Sequence, residues 1–227
     1  NCSLYISLLN FFLFFFLLHG ISVFAVILGM VADSKARKIL KSFPKDVVEY
    51  FVEIDNFCKK AKITFKITSG LALNSNGRCG GYFCSQTKTL AVAIGIKNLS
   101  KIIPLVEHER QHIRQFLNPR SVWYKKGIIT GHARFFNYLS GSRIYKATEC
   151  CRAAVSLELD CERKTIRALK RWPKYIDIET TIRRANAYVL SHWRMLKTGK
   201  WPKKSCYDRK ILAHCPSVLV KGNPRPS

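Results

Sequence analysis

Negative charge is scarce in this chain: 14 Asp and Glu stand against 39 Lys and Arg in 227 residues, a formal net charge of +25. None of that charge falls in residues 1–32, where no side chain is ionised, and residues 4–31 are almost wholly apolar. The nine cysteines include no C-x-x-C pair, which excludes a zinc ribbon, and their odd number fits reduced thiols better than a disulfide framework. No internal repeat and no strong linker after residue 42 is present, so residues 33–221 are read as one globular domain, with residues 222–227 as a Pro-rich tail.

The apolar segment 1–32 has two readings. Residues 4–31 are long enough to cross a bilayer as a helix, and Lys35, Arg37, Lys38 and Lys41 follow at once, which would anchor the domain on the cytoplasmic side. A cleaved signal peptide fits less well, because no positive region precedes the apolar run and no small-residue cleavage site is clear. The first methionine is Met30, so residues 1–29 are alternatively a non-native extension of a soluble chain.

What is present is more specific. His108-Glu109-Arg110-Gln111-His112 is an H-E-x-x-H, a string this composition produces by chance about 0.005 times per chain. On a helix, histidines four residues apart point from one face and can hold Zn²⁺, with the intervening glutamate placed to take a proton from water. Helix signals surround it. Asn98 or Ser100 caps the start, Pro104 is read into the first turn, and Asn118-Pro119 ends the run. Leu105, Val106, Ile113, Phe116 and Leu117 supply the buried face.

The pattern before this helix predicts a helix over residues 33–58, a strand over 62–68 and a second strand over 87–96. The pattern after it predicts long helices over 143–172 and 176–197. The expected fold is α+β: a small, mostly antiparallel sheet packed on the H-E-x-x-H helix, then a helical C-terminal half. An edge strand beside that helix would let an extended peptide pair with it.

A catalytic zinc takes three protein ligands and keeps a fourth position open. In the stretch 156–163, Glu158 and Glu162 share a helix face, whereas Asp160 is turned away from them and is better paired with Lys164. That leaves Glu158 as the third ligand, with Glu162 one turn on, placed to orient a ligand histidine. His132 is the alternative ligand. Tyr188 and His192, four apart in the last long helix, are candidates to stabilise the transition state.

His108-Glu109-x-x-His112 with Glu158-x-x-x-Glu162 resembles the gluzincin branch of zinc metallopeptidases, most closely short phage and bacterial zincin-like proteins. The resemblance covers roughly residues 63–169. It implies Zn²⁺ held by His108, His112 and Glu158, with Glu109 as general base in peptide-bond hydrolysis of a peptide or protein substrate. Glu162 departs from the family's aspartate, and Arg110 and Gln111 from its small or apolar residues. The stretch 131–136 around His132 is similar instead to Spartan-type DNA-associated proteases, which use a third histidine.

A different class competes with both. Lys164, Arg167, Lys170, Arg171 and Lys174, with Arg183-Arg184 and Lys203-Lys204, suit a basic nucleic-acid-binding protein without enzymatic activity, or a face for an anionic surface. No recognised nucleic-acid-binding motif accompanies them.

Overall fold

A computed structural model describes residues 31–73, 79–202 and 206–221. Of the apolar segment 1–32, read as an anchor over residues 4–31 or an extension over 1–29, only residues 31 and 32 are described; the tail 222–227 lies outside. No helix among the described residues is long and apolar enough to cross a membrane. The chain is mixed α and β and mostly helical, with seven α-helices and one four-stranded sheet among the described residues. It divides between Lys97 and Asn98 into two compact units, where the sequence suggested one domain.

The first unit holds β1 (Val31–Ala32), α1 (Ser34–Lys41), α2 (Lys45–Lys60), β2 (Thr64–Thr68), β3 (Gly81–Cys84) and β4 (Thr89–Ala93). The single helix expected over 33–58 is two, because Pro44 cannot continue α1 and instead caps α2. Asp33 fixes the start of α1 twice over: Oδ1 accepts the Ala36 N–H at 2.7 Å, and Oδ2 accepts the Ser69 N–H at 2.9 Å. In β2 the alternation holds, with Phe65 and Ile67 buried and Thr64 and Lys66 exposed. Phe65 stacks on Phe51 of α2, ring centroids 6.3 Å apart.

The sheet order is β1-β2-β4-β3, and here the expectation fails. Two of its three pairings, β1 with β2 and β2 with β4, are parallel; only β3 with β4 is antiparallel. The cause is β3, which reads as turn material around Gly80-Gly81 but pairs with β4 as a hairpin. That hairpin turns β4 to run alongside β2, and all five β4 residues are buried. Gly95 permits the exit from β4: a Cβ there would stand 2.2 Å from the Ser69 carbonyl oxygen and 2.6 Å from that of Gly70.

The second unit is all helix among its described residues. It holds α3 (Leu99–Leu117), a short 3₁₀ turn (Val122–Tyr124), α4 (Ile128–Leu139), α5 (Ala147–Leu169), α6 (Ile178–Thr198) and α7 (Arg209–His214). The helical C-terminal half is therefore as expected. The sheet belongs to the first unit and the H-E-x-x-H helix to the second. α5 is the axis of the second unit and packs against α3, α4 and α6. Its core joins Phe135 and Leu139 of α4, Cys151, Val155 and Leu159 of α5, and Val189 and Trp193 of α6. Small side chains set how close α4 comes to α5: a Cβ on Gly131 would lie 2.7 Å from that of Ala153.

Candidate metal centre

α3 carries the H-E-x-x-H motif in its second half. Asn98 is the cap, its side-chain oxygen accepting the Ser100 N–H at 3.0 Å. Pro104 lies inside the helix rather than in its first turn, so the Ser100 carbonyl goes without its helical donor. Val106 and Ile113 are buried as expected, but Leu117, at the helix end, is 44% exposed.

Arg110 and Gln111, large and polar between the two histidines, have a use. Both face Glu107, which is buried at 1% exposure. Gln111 Nε2 donates to Glu107 Oε1 at 2.5 Å, and the Arg110 guanidinium lies 3.5 Å from Oε2. A buried carboxylate needs such partners, and small residues here would remove these two.

The two motif histidines turn their Nε2 atoms toward one another, 3.1 Å apart. Glu158 Oε2, from α5, completes a triangle at 3.3 Å from His108 Nε2 and 3.4 Å from His112 Nε2. This oxygen is buried and takes no hydrogen bond among the described residues, although two ring nitrogens are so near. The three atoms face one another across a common centre.

The outer nitrogens of both rings are held. His112 Nδ1 meets Gln115 Oε1 at 2.9 Å. The Gln115 amide cannot be turned round, because its Nε2 donates to the Leu157 carbonyl at 3.1 Å and to Asp160 Oδ2 at 2.7 Å, both acceptors. In its neutral form His112 therefore keeps its hydrogen on Nδ1, which leaves the Nε2 lone pair for a ligand bond. His108 Nδ1 faces Glu162 Oε1 at 3.2 Å, which sets the same tautomer. Asp160 pairs with Lys164 at 2.6 Å, as its place on the helix suggested.

Cys161 was not among the candidates. Its thiol is fully buried, donates to the His108 carbonyl at 3.2 Å and lies 3.6 Å from His108 Nδ1. One ligand atom each from His108, His112 and Cys161 fall within 4.8 Å of one another, a buried cluster that could hold a metal ion. The two donor sets differ in which side of the His108 ring they use. Glu158 stands at Nε2, and Cys161 is nearest Nδ1. The tighter triangle is the Nε2 set.

His132 lies on α4. Its Nε2 lies 3.5 Å from the other Glu158 oxygen, Oε1, and its ring packs on Phe136 at 4.5 Å. One Glu158 oxygen faces the histidine pair and the other faces His132. Glu109 is buried at 7% exposure. The Tyr188 ring lies edge-on to His108, centroids 6.0 Å apart. His192 sits in the hydrophobic core, stacked on Phe135, with Nδ1 3.1 Å from the Tyr188 carbonyl oxygen, so it supports the helix turn below Tyr188.

Electrostatics tighten the cluster. Burial opposes charge on His108 and His112, yet the neighbouring Cys161 and the carboxylates of Glu162 and Glu158 outweigh it and hold both imidazoles well above the ordinary 6.5. Burial likewise opposes ionisation of Glu158, and the facing His112, His108 and His132 overcome it, so its carboxyl lies well below the usual range. Burial and the Glu158 charge push the Tyr188 phenol up, so it keeps its proton at neutral pH. Burial lowers His192 and keeps it neutral.

No protein-family model matches this chain, and no curated protein or solved structure matches it.

Proposed function

We propose that the second unit is a zinc-dependent peptidase centre, with His108, His112 and Glu158 as ligands and Glu109 as general base. One observation carries the reading. Donor atoms about 2.0–2.1 Å from a tetrahedral zinc stand about 3.3–3.4 Å from one another. The His108, His112 and Glu158 atoms stand 3.1, 3.3 and 3.4 Å apart. Two neutral imidazoles and one carboxylate are also the donor chemistry zinc takes in hydrolytic sites.

Zinc held there would supply a Lewis acid and a water of lowered pKa. The chain's own residues do the rest. Glu109, beside His108, takes a proton at its carboxylate and returns it to the leaving amine nitrogen. Tyr188, protonated at neutral pH, offers its O–H to the carbonyl oxygen as negative charge gathers there. His132 holds Glu158 Oε1 and so keeps Oε2 turned to the histidine pair. Glu162 and Gln115 fix the ring tautomers.

The test is metal content and peptide cleavage of the purified protein and three variants. The expected result is about one zinc per chain, lost in Glu158→Ala, retained in His132→Ala and Glu109→Gln, with cleavage abolished in Glu109→Gln. Retention of zinc in Glu158→Ala would sink the ligand set. The position of Cys161 favours a second reading, in which its thiolate joins the histidines in a closed, structural site. A cobalt-loaded protein would then show a thiolate-to-metal charge-transfer band that disappears in Cys161→Ser; the peptidase reading expects no such band.

A further inference from the structure

The carboxylates of the second unit are largely used inside it. Of the nine from Asn98 onward, Glu107, Glu109, Glu158 and Glu162 are buried. Asp160 is held between Gln115 and Lys164. The surface is left more basic than the composition alone conveys, and it is most basic at one corner. The last turns of α5 and the turn that follows span residues 163–175, which contain six Lys and Arg and no carboxylate. Arg167, Lys170, Arg171 and Lys174 are exposed there, Arg171 with one guanidinium nitrogen also 4.0 Å from the buried Glu107 Oε2. The next carboxylates along the chain are committed: Asp177 accepts the Glu179 N–H and the Thr180 hydroxyl, and Glu179 pairs with Arg183 at 2.9 Å.

Aromatic rings stand among these cations. The Arg171 guanidinium lies 5.4 Å from the centre of the Trp172 ring, and the Lys174 ammonium 5.1 Å from that of Tyr175. The two rings are 6.0 Å apart, so cations and aromatics form one cluster. A cation beside a ring is the pairing that binds a phosphodiester backbone and offers a π-face to its bases. A membrane-binding surface would carry a broad protruding apolar face of Trp, Phe and Leu beside the charge, whereas Trp172 and Tyr175 are only half-exposed. Here no exposed Leu, Ile, Val or Met falls within residues 163–175.

We infer that the corner formed by Arg167, Lys170, Arg171, Trp172, Lys174 and Tyr175 binds single-stranded nucleic acid. The contact is sequence-tolerant, made by four cations to phosphates and by ring stacking to bases. It is a different surface from the metal centre and stands whether or not that centre is a peptidase.

The probe is a fluorescein-labelled oligothymidylate, titrated with the full chain by fluorescence anisotropy. Four neutralised phosphates predict a log–log salt slope near −2.8, about a fifty-fold loss of affinity between about 50 and about 200 mM salt. The double variant Lys170→Glu with Lys174→Glu is expected to bring the slope to about −1.4. Tyr175→Leu keeps apolar bulk and removes the ring, and is expected to weaken binding about tenfold with the slope unchanged. Circular dichroism and zinc content of both variants should match the parent, since Lys170 and Lys174 are exposed, Tyr175 is half-exposed and leucine keeps its apolar bulk. An unchanged slope in the double variant would overturn the placement. Equal binding by Tyr175→Leu, together with equal affinity for phosphatidylglycerol vesicles, would overturn nucleic acid as the partner.

Discussion

Gln115 is a fully buried polar group of the site, at 0% exposure. It makes three hydrogen bonds in one direction: Oε1 accepts from His112 Nδ1, and Nε2 donates to the Leu157 carbonyl and to Asp160. Gln115→Leu preserves volume and removes all three. At about 1 kcal/mol each, with the Leu157 carbonyl left without that donor, the fold should lose about 3 kcal/mol. His112 then loses the partner that holds its hydrogen on Nδ1, and zinc affinity should fall about 10–100-fold, as for other partners of ligand histidines. Gln115→Glu separates the two effects. A carboxylate still accepts from His112 Nδ1 but cannot donate to Leu157, and it sets a second negative charge against Asp160. Its fold should be weakened as much as that of the leucine variant while its zinc affinity stays within about tenfold of the parent. Thermal melts measure the first quantity and competition with a chromophoric chelator the second. Zinc bound as tightly by Gln115→Leu as by the parent would refute the claim that Gln115 sets the ligand tautomer.

Two further outcomes follow from the same geometry. In the metal-free protein both histidines are held well above 6.5 and Glu158 well below its ordinary 4.5, so metal must displace two protons from the rings and none from the carboxylate. Apparent zinc affinity should therefore climb by up to about a hundredfold per pH unit until the raised histidine values are passed, and then level off; a flat profile through neutrality would refute it. Stability of the metal-free protein runs the other way. The histidine contribution is complete below 6.5 and fades as pH rises through the raised values, the Glu158 contribution is complete above 4.5 and fades as pH falls, and the melting temperature of chelator-treated protein should peak between. Gly131→Ala supplies the last test. An exposed helical glycine gains about 1 kcal/mol on this change, but here the new methyl would stand 2.7 Å from Ala153 Cβ, so overpacking should destabilise by about 1–3 kcal/mol. A higher melting temperature in Gly131→Ala would show that α4 and α5 have room to spare.

How much of this was legible in the sequence depends on the distance over which each relation acts. His108, Glu109 and His112 are neighbours on one helix, and the 3.6-residue period alone puts the histidines on one face. Glu158 and Glu162 followed from the same period applied to α5, though which element α5 would meet did not. Local signals also misled locally. Pro104 reads as a first-turn residue because proline is favoured there, but the capping bond at Asn98 starts the helix earlier. The sheet was misjudged for a related reason: alternation reports which face of a strand is buried and carries nothing about strand direction. Direction here is set by the β3–β4 hairpin, whose first strand is a weak, glycine-led tetrapeptide, Gly81–Cys84.

Gln115 and Cys161 were missed because their meaning is tertiary. Gln115 sits one turn beyond His112, a polar residue on a face otherwise read as apolar, and that mismatch was the available signal. A helix that buries an amide must satisfy it, and the nearest group on its own helix in need of an acceptor is the ligand histidine one turn back. Cys161 falls between Glu158 and Glu162 on α5, but only the packing of α3 against α5 brings its thiol to the His108 carbonyl. Arg110 and Gln111 make the same point from the other side. As motif residues they looked like departures, and as partners of the buried Glu107 they are what lets a carboxylate stand one residue before the first ligand. The buried side of α3 therefore carries a polar network beside its apolar stripe of Ile102, Ile103, Val106 and Ile113, and that network, more than the five-residue motif, fixes where the two Nε2 atoms point.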